Sequence, residues 1–298
     1  MASFKNMLVG FLCLASITFA GMTFSACGEK ERTFNSASEL YAFSAVSSIN
    51  LLNSKKSQEP AQSGTATTDE NKSEIVKKVN SYMSMVDGML GGKYPITVKE
   101  ETSEDETYAK KFVASVTHLD GQKQDYVLYY NEVVPTEENR EAKDEDDFEV
   151  NTNISGIVKS GTEQYELVGE KEVEQDEIEV NLTIKLDGTN YIIITQETEK
   201  NEQEFTFDVF VNGESVENIS IEVENENNET EIEVSTTYQS VTKVFKYEKE
   251  IKENDKVEIV ITYQNGDAYE TIVVTYVDGE QPTYKYAFSD NTYIDVEN

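Results

Sequence analysis

The chain has 298 residues, with 58 Asp plus Glu against 25 Lys plus Arg, a formal net charge of −33 and a single histidine. A field of that sign repels nucleic acid and anionic lipid surfaces, because phosphate binding needs clustered Lys and Arg, so neither is expected as a charge-bound partner. Two cysteines, Cys13 and Cys27, and no Trp leave little material for thiol chemistry or for stacking a sugar ring.

Residues 1–26 carry one charge, Lys5, then an apolar run from Met7 to Phe24, then the small residues Ser25 and Ala26. This is the layout of a secretory signal peptide, which is set apart from the fold. The segment Phe24-Ser25-Ala26-Cys27, followed by Gly28, resembles a bacterial lipobox. It departs from that pattern at Phe24, where the family usually has Leu. The resemblance implies that Cys27 is the site of lipid attachment and that residues 27–33 are a tether. It also implies a domain held on the outer face of the bacterial cell membrane, its membrane partner being reached through the lipidated Cys27. Two alternatives stay open: an ordinary signal peptide with a chance cysteine, and an uncleaved anchor, since the apolar run is near the short end of the ~17–25 residues that span a bilayer. Both leave the remainder outside. Cys13 lies in the leader and Cys27 would carry lipid, so no disulfide is expected and residues 34–298 read as one domain held by its own core. Removing Lys5 with the leader takes the charge to −34.

Leu40, Phe43, Val46, Ile49 and Leu52 recur at three-residue steps, which predicts an amphipathic helix over 36–52 with Ser36 or Ser38 as its cap. Residues 53–72 are polar, contain Pro60 and Gly64 and hold almost no large apolar residue, so a flexible loop is expected. Ile75, Val79, Tyr82, Met83, Val86 and Leu90 share one face of a second helix over 73–90, ended by Gly91-Gly92. Each helix is expected to have one greasy side.

Beyond Tyr94 the period becomes two. Ile178, Val180, Leu182, Ile184 and Leu186 alternate with Glu179, Asn181, Thr183 and Lys185, and the same pattern recurs through Ile219–Val223, Ile232–Tyr238, Val257–Tyr263 and Ile272–Tyr276. Further strands are read at 108–119, 124–133, 148–158 and 164–173. Turn signals such as Asp187-Gly188, Asn212-Gly213 and Asn265-Gly266 punctuate the pattern, and one long gap calls for a turn near Gln239. Short turns pair each strand with its sequence neighbour. The expected fold is therefore α+β, mainly β: a long antiparallel meander over 96–288 forming one curved sheet or half barrel, with both N-terminal helices covering its concave face. A membrane barrel is disfavoured because the polar positions are dense in Glu, Lys, Thr and Asn.

Helices followed by a meander resemble the carrier domains of envelope lipoprotein trafficking, the LolA and LolB group and related mycobacterial lipoproteins. The resemblance covers about 260 residues of architecture and no motif, so no residue is carried over. It implies a half barrel with helices plugging the concave side, and an apolar ligand.

Catalytic constellations are missing from the pattern. His118 stands alone beside Asp120-Gly121, there is no Gly-x-Ser-x-Gly elbow, and no mature thiol remains as nucleophile or ligand. An enzyme is not expected, no catalytic residue is assigned and no cofactor is implied. In the acidic loop 135–147, Asp144, Asp146 and Asp147 offer oxygen ligands for Ca²⁺, but the EF-hand spacing and its glycine are missing, so a solvated charge run competes with that reading. Tyrosine clusters at Tyr126, Tyr129 and Tyr130 and at Tyr284 and Tyr286 suit either recognition or strand packing. The expected function is a membrane-anchored surface lipoprotein acting as a non-enzymatic binding or carrier module for an apolar ligand or an envelope protein. The alternatives are a hydrolase using paired carboxylates and a structural or adhesive surface protein.

Overall fold

The computed structural model describes residues 36–57, ten positions between 72 and 89, and 96–117, 123–135, 149–174, 177–199, 202–226, 229–238, 241–251, 256–265, 268–277, 284–288, 290 and 292–296. One helix, α1 (Ala37–Ser57), precedes fifteen strands. The first eight are β1 (Thr97–Glu101), β2 (Lys110–Thr117), β3 (Lys123–Val133), β4 (Glu149–Ser160), β5 (Glu163–Glu174), β6 (Glu177–Lys185), β7 (Tyr191–Glu199) and β8 (Glu202–Val211). The rest are β9 (Glu214–Glu226), β10 (Glu229–Tyr238), β11 (Val241–Ile251), β12 (Lys256–Asn265), β13 (Ala268–Val277), β14 (Tyr284–Phe288) and β15 (Tyr293–Val296). Every strand pairs antiparallel with its sequence neighbour, giving one 15-stranded sheet in the order β1 to β15 that is not closed into a barrel.

The expected single meander is present, and it runs further than expected, since β15 lies past Phe288. The break near Gln239 falls between β10 and β11, which pair from Tyr238 opposite Val241. Between β8 and β9, Asn212 and Gly213 have φ of 55° and 81°. Both central residues are thus left-handed, as the twist of a two-residue hairpin requires. Asp187-Gly188 behaves differently from the expected tight turn: β6 and β7 are joined by residues 186–190, closed by Leu186 N–H donating to Asn190 O at 3.0 Å. The Asp187 carboxylate organises this longer loop by accepting from the N–H groups of Thr189 and Asn190, each at 2.8 Å.

Alternation fixes the faces of the sheet. Val180, Leu182 and Ile184 are buried and Ile178 partly so, while Glu179, Asn181 and Thr183 keep partial exposure on the other side. The inner face joins one core with α1 and with Ile75, Val76, Val79, Tyr82, Met83, Met85, Val86 and Met89. Those eight residues have helical backbone, but the positions between them lie outside the described residues, and α1 is the one helix delimited among them.

Two expectations about α1 are corrected. It continues through Asn53–Ser57, where a loop was expected, because Lys55 reaches a partner on the sheet, Glu217, and holds one more turn in place. Nor does it have a single greasy side: Tyr41, Ala42, Ala45 and Leu51 are buried along with Leu40, Phe43, Val46, Ile49 and Leu52, and so are Ser44, Ser47 and Ser48. A helix covered all round belongs inside a core rather than on a surface. Ser36 is the cap, its Oγ accepting from Glu39 N–H at 3.2 Å, whereas Ser38 lies within the first turn and donates to Glu100 at 2.8 Å. The Tyr41 ring meets Tyr130 of β3 edge-on with centroids 5.7 Å apart. Phe43, two residues on, meets Phe205 of β8 at 5.2 Å. Residues two apart on a helix point about 160° away from each other, so strands five places apart in the sheet lie against opposite sides of α1.

Candidate functional site

Two features of the sheet carry chemistry. The first is a set of polar groups set into the apolar inner wall. Tyr41 donates to Glu132 at 2.8 Å, and Glu132 also pairs with Lys110 and with Lys171 at 3.3 Å. Burial pushes the Glu132 carboxyl up, but Lys110, Lys171 and Tyr41 outweigh it and hold it below its ordinary value. Tyr126 donates to Asn50 of α1 at 2.9 Å, and burial pushes its phenol up to about 12. The most deeply buried acid is Glu217 of β9, the one acid among the buried described residues. Its Oε1 accepts from Tyr82 at 2.9 Å and from Thr236 of β10 at 3.0 Å, while Lys55 Nζ stands 2.8 Å from Oε2. That last contact is an ion pair without hydrogen-bond alignment, so Oε2 receives no aligned donor. Nearby, the fully buried Tyr247 hydroxyl has no hydrogen-bond partner, and desolvation, then the neighbouring Tyr82 and Tyr286, raises its pKa far above the ordinary value.

The second feature lies on the outer face, where the register lines up glutamates across neighbouring strands. Glu172 faces Glu179, which faces Glu197, then Glu204, Glu222 and Glu233, and the row ends at Lys246. A parallel row begins at Glu149 and Glu174 and ends at Glu231 and Glu248. Like charges directly opposite each other on neighbouring strands destabilise a sheet. Glu202, Glu204 and Glu222 bring carboxylate oxygens within 4.8 Å of one another, close enough to share a cation chemically. Burial, then the charges of Glu224, Glu202 and Glu204, raises the Glu222 carboxyl.

A surface recess of about 420 Å³ is lined by Gln164, Glu166, Lys185, Leu186, Asp187 and Gly188, beside the β6–β7 loop rather than under the sheet. Of the residues singled out from sequence, Cys27, His118, Asp144, Asp146 and Asp147 all lie outside the described residues. The structure separates the clustered tyrosines: Tyr126 and Tyr130 face inward and are buried, while Tyr129 sits on the outer face between Lys159 and Lys111, at 4.7 and 5.5 Å from its ring centre. Tyr129 also donates to Glu104, which that bond and Lys111 hold down at about 2. These are packing roles. Glu217 went unremarked in the sequence, yet a signal was there, since it continues the inward phase of Ile219, Ile221 and Val223 by one more step.

Among the described residues no helix is long and apolar enough to cross a membrane. No protein-family model, curated protein or solved structure matches this chain.

Proposed function

We propose that this chain is a membrane-anchored surface lipoprotein, attached through Cys27, whose helix-filled half barrel is a non-enzymatic binding or carrier module for an apolar ligand or an envelope protein. The observation that carries the reading is α1, buried on every side from Leu40 to Ile49 and touched by β3 and β8 from opposite directions. A flat sheet meets a helix on one side only, so contact from both sides supports a sheet curled around it. Gly156 and Gly169 support the same bend: a Cβ at either would lie 2.3 or 2.1 Å from a carbonyl oxygen of the next strand, an approach open only to glycine. In this reading the buried Ile75, Val79, Tyr82, Met83 and Val86 belong to the second helix, closing the concave side beside α1. The apolar wall behind the helices is a surface that could receive acyl chains once they move.

The filled interior also favours the structural or adhesive alternative, because Phe43, Tyr82 and the aromatic residues around them occupy the hollow themselves. The hydrolase alternative has less support, since the facing carboxylates Glu202, Glu204 and Glu222 sit on the open outer face and not in a cleft.

Two measurements test the reading. Cys27→Ala should shift the protein from the membrane fraction to the medium or leave it unprocessed, and unchanged membrane retention would overturn the lipid anchor. Native mass spectrometry and solvent extraction of protein purified from its own membranes should recover a co-purifying lipid beyond the Cys27 adduct. A clean protein mass would move the assignment to the structural alternative.

A further inference from the structure

The inner wall of the sheet is built from Ile, Val, Leu, Phe and Tyr, so a carboxylate at its centre needs a reason. Glu217 has a side-chain exposure of 1% and joins three separate parts of the chain. Lys55 comes from the last turns of α1, Tyr82 from the 72–89 segment, and Thr236 from the neighbouring strand. A β-bulge at Val209/Phe210, directly across the β8–β9 pair, marks the same spot. Bulges re-aim side chains at places where a sheet carries out a task.

Two physical consequences follow from such a junction. With the interior closed, the carboxylate is desolvated and depends on Lys55, Tyr82 and Thr236. With α1 and Tyr82 withdrawn it would face water, where a carboxylate is well solvated, whereas an Ile or Leu at the same position would have to be exposed at a cost. A buried ion pair is often no more stabilising than an apolar side chain of similar size, yet removing one partner leaves an uncompensated charge. The charge therefore makes the closed state conditional without making it tighter.

We propose that Glu217 is a built-in release point for the helical cover: it lowers the cost of opening, and Lys55 is the counter-charge that keeps the cover shut. The inference concerns the cover alone and is independent of whatever the hollow binds. It makes the two partners unequal in a way that a purely stabilising salt bridge does not. Lys55→Met strands the carboxylate and favours opening. Glu217→Leu removes the group that gains from opening and favours closure, even though it also destroys the ion pair.

The test is hydrogen–deuterium exchange by mass spectrometry on the purified full chain, comparing amides of α1 with amides of β12 and β13, which lie away from the junction. Exchange of α1 should be at least about tenfold faster in Lys55→Met. It should be slower than native in Glu217→Leu and in the double variant, with β12 and β13 unchanged throughout. Faster α1 exchange in Glu217→Leu, matching Lys55→Met, would overturn the proposal in favour of an ordinary salt bridge. So would equal acceleration of α1 and β12–β13, which would mean that the cover does not move separately. If Glu217→Leu fails to fold, Glu217→Met, which keeps the unbranched length, supplies that arm. If neither folds, Glu217→Gln, which removes the charge and keeps the shape, supplies that arm: α1 exchange no faster than native supports the release point, and acceleration matching Lys55→Met overturns it.

Discussion

Replacing Gly169 by alanine sets two forces of opposite sign against each other. In a conformation that accepts it, alanine in place of glycine stabilises by about 0.4–1 kcal/mol, because the unfolded chain loses freedom. At Gly169 of β5, however, a Cβ would stand 2.1 Å from the carbonyl oxygen of Asn181 and 2.8 Å from Leu182 Cδ2. Ordinary contact begins near 3.4 Å, so β6 would have to withdraw by roughly 1.3 Å. The obstructing atom is main chain, held opposite Glu170 in the β5–β6 ladder, and cannot swing aside as a side chain would. Overpacking of this kind costs about 1–3 kcal/mol, and a main-chain wall places it at the upper end. A net loss of about 2–3 kcal/mol corresponds to a fall in Tm of roughly 4–12 °C for a domain of this size. Gly188→Ala is the control, because nothing lies within 4 Å of its Cβ position and its backbone is outside the left-handed region. It should be neutral or slightly stabilising. Urea and thermal denaturation of both variants would decide, and a Gly169→Ala protein as stable as its Gly188→Ala counterpart would refute the close approach of β5 and β6.

Phe43→Ala should cost about 3–5 kcal/mol in urea denaturation, since it empties a fully buried site and removes edge contacts with both Phe205 and Phe207; a loss below about 1 kcal/mol would mean that α1 is not packed against β8. The facing glutamates predict that Tm rises with NaCl between 0.01 and 0.5 M, because the Debye length falls from about 30 Å to only a few ångströms; a falling Tm would show that the rows are not repelling. Asp290 is held at about 2 by Lys72 first and then Thr292, below its ordinary value of 3.8, so its contribution to stability is complete above about pH 4 and lost as the pH falls towards 2. Its carboxyl carbon should titrate near that value by NMR and return towards the ordinary value in Lys72→Met, and an unchanged midpoint would exclude the contact. Glu222 has the opposite sign: its raised pKa means that stability is lost as the pH rises through it.

Much of the sheet could be read directly from the order of residues. Alternation at Ile178–Leu186 and turn residues such as Asn212-Gly213 act over short stretches, and in a meander local pairing is the whole topology. The strands at the two ends have weak local patterns: β1, the short, polar Thr-Val-Lys-Glu-Glu, and β14, of five residues, lie within the expected meander without a strand pattern of their own, and the four residues of β15 lie past it. The all-round burial of α1 depended on what surrounds it. A three-residue step through Leu40 and Phe43 marks one buried face, but only tertiary packing turns the serines at 44, 47 and 48 into contact points as well. The glutamate rows are visible only when the register of seven strands is known. Asp187-Gly188 misled because the Asp187 carboxylate gathers enough donors to favour a longer loop than the dipeptide suggests.

The central claim is that one sheet bends around α1, bringing β3 and β8 to its two sides. In protein with selectively labelled Tyr and Phe rings, nuclear Overhauser contacts should appear both between Tyr41 and Tyr130 and between Phe43 and Phe205, whose ring centres are 5.7 and 5.2 Å apart. Both contacts in a single monomeric sample are the predicted result. Either contact without the other would place α1 against one side of a flatter sheet and contradict the account.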